Sequence, residues 1–433
     1  MSSYKYVLIA WLSAITLCVS AQTNGSNSPY SQFGLGNLNE QSQGFNKAMS
    51  GLSMGFREGN RINMQNPASY SAIDSLSFIF DVGMTLQNAN FKNGSNSINA
   101  HNTALDYVNA AFRLRPGLGL SLGFVPFSTI GYNYSDSKYI QNNIQSGTSM
   151  RYTTTHNGNG GLHHIYMGLG WNPFGALSVG VNVGYLWGTY NESIGQTFYE
   201  GSTENTSSNG LKRNIEADLS SYKIDFGIQY PIKIGNNVLT PGVTYGIGHA
   251  INSTAHCYEY QANADTTATH ISKAFDLPTS IGAGLTWAHN KQWTVGVDVI
   301  HQMWSQCNVP QIVDNQFASV ANYQDRTKII IGGEYQPDHQ SRRYLRRVQY
   351  RLGASYTTPY YKIDGHNGPK EFGLSAGFGL PITNNINNRS VINVSFQWVQ
   401  ASTSLSTMIT ENYLRLNIGI TFNERWFMKW KIQ

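Results

Sequence analysis

Apolar and polar residues alternate along most of this chain, the signature of strands with two chemically different faces. Near the C-terminus Leu414, Leu416, Ile418, Ile420 and Phe422 share one face, while Tyr413, Arg415, Asn417, Gly419 and Thr421 share the other. The same holds for Ile392, Val394, Phe396 and Trp398, for Leu177 through Trp187, and for Leu76, Phe78, Phe80, Val82 and Met84. These polar faces are mostly Gly, Ser, Asn and Thr, whereas the wet face of a soluble sandwich carries Lys and Glu. Many segments also exceed the roughly 9 to 11 residues that a tilted strand needs to cross a bilayer. Unpaired backbone is intolerable in lipid, so such strands span only by closing into a barrel with the apolar face outward.

The pattern predicts about fourteen antiparallel strands, near 76–91, 101–114, 118–132, 161–172, 176–190, 220–231, 238–250, 276–288, 292–303, 327–336, 346–358, 371–381, 390–401 and 412–422. Arg115-Pro116-Gly117, Asn172-Pro173-Phe174-Gly175 and His289-Asn290-Lys291 read as short turns. The intervening stretches 133–160, 191–219, 251–275 and 304–326 are long, polar and rich in Asn and Ser. Short periplasmic turns alternating with long extracellular loops are the habit of outer-membrane barrels, and they place both termini in the periplasm. Trp171, Trp187, Trp287, Trp293 and Trp398 lie near predicted strand ends, as interfacial girdles require.

Composition sharpens the class. Charged residues make up 12% of the chain against roughly 25% in soluble domains. Mean hydropathy is −0.32 and no run of 18 apolar residues occurs, which excludes a helical transporter. A net charge of +5 from 29 basic and 24 acidic residues gives no cationic footprint for nucleic acid. Residues 1–21 read as a signal peptide: Lys5, an apolar run from Tyr6 to Val19, and Val19-Ser20-Ala21 before the cut. The rival, acylation at Cys18, meets Leu17 where a small residue is wanted. Export to the outer membrane follows, with its lipid as the surrounding partner.

Residues 22–75 precede the first strand and are expected to form a plug inside the lumen; 76–422 form the barrel, and 423–433 a periplasmic tail. The aromatic and basic tail, Trp426 to Gln433, suits either an interfacial anchor or a docking element. Luminal charges expected on the inward face are Asp81, Asp298, Glu334, Arg351 and Arg415, with Lys223, Asp225 and Lys328, arranged to fix plug to wall. Arg342, Arg343, Arg346 and Arg347 cluster at a periplasmic turn, either as a solvated face or toward an acidic partner.

Candidate chemistry is thin. His163 and His164 are adjacent on a strand and point to opposite faces, so they cannot chelate together. No Gly-x-Ser-x-Gly elbow or phosphate loop exists, and no catalytic residue, metal or cofactor is expected. Removal of the signal leaves Cys257 and Cys307 in neighbouring external loops. A disulfide between them and two isolated thiols are equally open readings.

The phrase Ala48-Met49-Ser50-Gly51, the phrase Asn66-Pro67-Ala68 before the first strand, and the strand number resemble the FadL-type long-chain fatty-acid outer-membrane transporters and their Bacteroidetes relatives. The resemblance implies an N-terminal hatch built on Ala48, Met49, Gly51, Asn66, Pro67 and Ala68. It also implies passive passage of a hydrophobic small molecule, such as a fatty acid, through a lateral opening, with no enzymatic step. The phrase from Ser28 to Gly36 also looks like that of Bacteroidetes barrels without a known substrate, and related barrels there serve type IX secretion. The alternative is therefore a non-transporting barrel that binds an envelope protein partner in secretion or assembly.

Overall fold

The computed structural model describes residues 27–140, 150–200, 203–204, 210–261, 265–313, 316–321, 323–363, 365–382, 390–403 and 408–425. The expected signal peptide and most of the tail lie outside them. Fourteen antiparallel strands close into a barrel. They are β1 (Ser77–Asn93), β2 (Asn96–Arg115), β3 in two segments (Leu118–Pro126 and Ser128–Ile140), β4 (Met150–Phe174), β5 (Leu177–Glu200) and β6 (Leu211–Gln229). Then come β7 in two segments (Asn237–Gly246 and Asn252–Gln261), β8 (Ser280–His289), β9 (Trp293–Gln302), β10 (Arg326–Tyr335), β11 (Gln349–Thr357), β12 (Lys370–Pro381), β13 (Val391–Ser402) and β14 (Thr410–Arg425). The seam closes where β1 pairs with β14, from Ser77 opposite Arg425 to Lys92 opposite Thr410.

Turn chemistry sets the register at the end of the barrel that carries the short turns. Gly117 and Gly175 adopt positive φ, and so do Asn290 and Lys291 at the tip joining β8 to β9. Left-handed backbone at those positions matches the twist of a tight hairpin. Trp171, Trp287 and Trp293 stand half-exposed at this end, and Trp293 stacks on Tyr335 at 4.2 Å between ring centres.

Across the middle of the barrel the apolar face points out as the alternation requires: Met167, Ile331, Leu352, Phe396 and Leu414 are all exposed large hydrophobics. Hydrocarbon is the only solvent in which that surface is stable.

The strands differ from expectation above this band. Stretches read as loops from their polarity, 150–160, 191–200, 211–219 and 252–261, are continuous sheet. There the two faces exchange roles. Leu162, Leu186, Tyr190, Ile215 and Leu219 point inward and are buried, while Ser135 meets Thr155 and Ser137 meets Thr153 across the outer surface. A strand that leaves the membrane meets water on its outer side, so burial of its apolar face must then be internal.

Candidate functional site: the filled lumen and its walls

Residues 28–76 run down the inside of the barrel, and in the half nearer the short turns close backbone contacts, hydrogen bonds and apolar packing hold them. The 3₁₀ turn Pro67–Ala72 is capped by Asn66, whose side chain accepts from the Ala68 N–H at 3.2 Å. The Asn66 amide in turn donates to the Met54 carbonyl at 2.7 Å, which Gln229 of β6 also reaches at 2.9 Å. Tyr70 donates to Asn182 of β5 at 3.1 Å, and Asn182 donates to the Met64 carbonyl at 2.8 Å. At several of the closest approaches of plug backbone to wall, the wall residue is glycine. A methyl group at Gly242 would overlap Met54 O, one at Gly180 would overlap Pro67, and one at Gly353 would overlap Met49. Only a residue without Cβ admits so close an approach. The sequence phrase Ala48 to Gly51 is thus the piece of plug that lies against Gly353 and Gly377.

Charges complete the fastening. Arg61 of the plug makes a bidentate pair with Glu334 of β10, both contacts at 2.9 Å, and Arg351 of β11 donates to the same carboxylate at 2.6 Å. Glu58 approaches Arg61 at 3.1 Å. Asp298 of β9 accepts the Ser53 and Met54 N–H groups at 2.6 and 2.9 Å. Glu40 receives Lys328 at 3.5 Å and Gln397 at 3.2 Å. Although burial works against it, the charges of Lys328, Lys47 and Arg415 hold the Glu40 carboxyl at about 2. Lys47 pairs with Asp106 at 3.1 Å.

Of the charges read from the sequence, Asp298, Glu334 and Lys328 therefore engage the plug directly, and Arg351 does so through Glu334. Asp81 is buried but bonds Thr421 at 2.9 Å rather than an ion, and Arg415 donates to Gln87 at 2.7 Å. Lys223 and Asp225 pair with each other. The plug's own members, Glu40, Lys47, Glu58 and Arg61, were not singled out, because that segment has no strand alternation that assigns its charges to a face.

The half nearer the long loops is filled by one large apolar cluster. It joins the plug (Tyr30, Leu35), the upper strands and the loops at Phe275, Trp304, Tyr323, Tyr360 and Tyr361. Trp304 lies 4.4 Å from Tyr360 and Phe275 lies 5.1 Å from Tyr190, ring centre to ring centre. Phe33 stacks on Tyr361 at 5.0 Å, and the Tyr360 hydroxyl donates to the Phe33 carbonyl at 3.0 Å. The phrase Ser28 to Gly36 is anchored here, with Ser28 donating to Glu411 at 2.6 Å. Cys257 and Cys307 belong to this cluster. The expected disulfide is absent: both are free buried thiols, and burial raises both, Cys307 to about 12. Packing against apolar neighbours, rather than a crosslink, accounts for both.

The wall is split at one place. β2 and β3 pair only between Val108–Phe124 and Arg115–Leu118. Above Phe127 the upper segment of β3 pairs with β4 on one side, and on the other only with Asn37 and Leu38 of the plug. The plug lies against both banks: Asn27 donates to Asn102 of β2 at 3.0 Å, Ser31 accepts from the Gly131 N–H at 3.1 Å, and Tyr134 donates to Gln32 at 3.0 Å.

A broad concavity lies outside the lumen. A depression of about 1030 Å³ crosses the lipid-facing wall from β9 to β2, with Leu86, Ile331, Leu352, Phe396 and Leu414 around a floor of Gly333, Gly353, Ala354 and Ala376. Its floor is the reverse side of the wall that lies against Met49. His164 faces the lumen, whereas His163 lies outside between Phe124 and Trp187 at 5.7 and 5.8 Å. Among the described residues no group of three His, Cys, Asp or Glu side chains is placed to hold a metal.

A closed antiparallel barrel of fourteen strands with an apolar belt and an N-terminal segment in its lumen defines the chain as a plugged barrel of the transmembrane kind. The chain belongs to the BamG family, whose model matches residues 3–433. Among solved structures, a Pseudomonas aeruginosa FadL homologue is similar at 12% identity, covering 90% of this chain and 99% of its own, with a TM-score of 0.60. The Pseudomonas putida toluene transporter TodX is similar at 15% identity over 91% of this chain and 100% of its own, with a TM-score of 0.56. The Ralstonia pickettii toluene transporter TbuX gives the same identity, coverage and score. No curated protein matches. The FadL-type resemblance thus holds for the fold, while the family is BamG, a different one.

Proposed function

We propose that this chain is an outer-membrane barrel that conducts nothing in its resting form and serves envelope assembly by docking a membrane-embedded partner against its wall. The observation that carries this reading is the distribution of space: apolar clusters pack both halves of the lumen, and a concavity of about 1030 Å³ faces sideways into the bilayer. Membership of the BamG family supports an envelope-assembly partner. The small floor and bulky rim of the depression suit side chains of another apolar surface, since complementarity of that kind is what lateral contacts in lipid rely on.

Photo-crosslinking groups placed at Leu352 and Phe396 should capture one discrete protein in intact membranes, and the same group at Met167, on the far wall, should not. Equal capture at all three positions, or none, removes the docking reading.

A second reading is passive entry of hydrophobic small molecules. It is favoured by the split between β2 and the upper segment of β3, which only the plug fills, and by the toluene transporters and FadL homologue that share the fold. Protein in liposomes, offered a fatty acid or an aromatic hydrocarbon against a polar solute, distinguishes the two. Selective uptake that a crosslink between the banks abolishes would establish passage; silence toward all three leaves the scaffold.

A further inference from the structure

We propose that the periplasmic turn joining β10 to β11 binds the phosphate headgroups of anionic phospholipids in the leaflet that faces the periplasm. The turn carries Arg342, Arg343, Arg346 and Arg347 within one short stretch, around the helical turn Tyr344–Arg347. Its backbone is fixed, with the Asp338 N–H on the Arg346 carbonyl at 2.9 Å and Gln336 on the Arg347 carbonyl at 2.8 Å. The Tyr350 hydroxyl reaches the Leu345 carbonyl at 3.1 Å, and Gln292 from the neighbouring turn reaches Pro337 O at 2.9 Å. The arginines are therefore presented by ordered chain.

Nothing acidic answers them. Among the described residues no ion pair engages any of the four. Asp338, the acidic residue of the turn, accepts the Gln340 N–H at 2.9 Å instead. Guanidinium groups so placed match the bidentate geometry of a phosphodiester.

A lipid surface is favoured over an acidic protein by what stands between the charges. Leu345 is 71% exposed and Tyr344 43% exposed, and the turn adjoins the stacked pair Trp293 and Tyr335. Aromatic rings of that kind mark the headgroup level, so an exposed leucine beside them enters hydrocarbon while the adjacent arginines meet phosphate. This assignment is independent of whether the barrel docks a partner or passes a solute.

The test is native mass spectrometry of the full chain released from bilayers of phosphatidylethanolamine with a minor fraction of phosphatidylglycerol. Wild type should retain phosphatidylglycerol preferentially, and R342Q/R343Q/R346Q/R347Q should lose that preference by about tenfold while keeping heat-modifiable mobility, the mark of a folded barrel. Leu345→Ser should lower retention of both lipids alike. Absence of preference in wild type overturns the proposal, as does undiminished preference in the quadruple variant. Loss of an acidic periplasmic protein from the quadruple variant, with lipid retention unchanged, would also overturn it.

Discussion

The two halves of the lumen are both full, but the plug is fastened to the wall differently in each. In the half nearer the short turns, glycine contacts, amides and buried charges join plug to wall beside two small apolar clusters, because most of the wall's apolar face is already committed to lipid. In the half nearer the long loops the outer face meets water, and the same period-two strands turn their apolar side inward into one large cluster around Trp304 and Phe275. One alternation thus serves two solvents, and the solvent outside decides the chemistry inside.

Substitutions can break that contrast. Glu334→Ala should have the largest effect, because it leaves Arg351 buried without a counter-charge and Arg61 with Glu58 alone, a loss of about 3 to 5 kcal/mol. Urea unfolding followed by tryptophan fluorescence would measure it, and loss below 1 kcal/mol would mean that water reaches the triad. Trp304→Ala should cost a comparable or slightly smaller amount, about 3 to 4 kcal/mol, but only above the membrane. Hydrogen exchange should then accelerate around Phe275 and Tyr360 while amides at Ser53 and Met54 stay protected. Coupled acceleration in both halves would erase the distinction. Gly353→Val forces Met49 away and should cost about 1 to 3 kcal/mol, with new protease cuts between Ala48 and Leu52.

The smallest expected effect is acid release. Glu40 has a folded value of about 2, below the usual glutamate range, so its contribution is complete above that ordinary range. It fades as pH falls through the interval down to about 2. Plug accessibility, read by cysteine labelling at Ser50, should accordingly hold steady at pH 6 and rise only in strong acid. A rise already at pH 6 would assign the effect to another group.

The membrane band was legible because lipid imposes a single rule on it. Leu414 to Phe422 point as their spacing demands, and the tight turns at Gly117 and Asn290 fall where Pro, Gly and Asn had marked them. The sheet beyond the membrane band, at the long-loop end, was hidden because its residues are dominated by Ser, Thr and Asn. Segments such as Ile215 to Leu219 do alternate, but only over a few positions with small members. The plug's contacts were less accessible still. Glycines were evident as close-packing positions, yet nothing near Gly353 in the chain points to Met49, and Arg61 finds Glu334 from a segment whose composition gave no sign of charge pairing. The two cysteines share a compartment of the fold without sharing a bond, a distinction that backbone separation alone decides.

The ring of wall glycines also constrains the order of assembly. With no clearance left between inner chain and cylinder at Gly180, Gly242 and Gly353, a finished tube could not be threaded afterwards from either mouth. The plug, residues 28–76, must lie in position while the sheet is still open, and the last strand can zip to the first only around it.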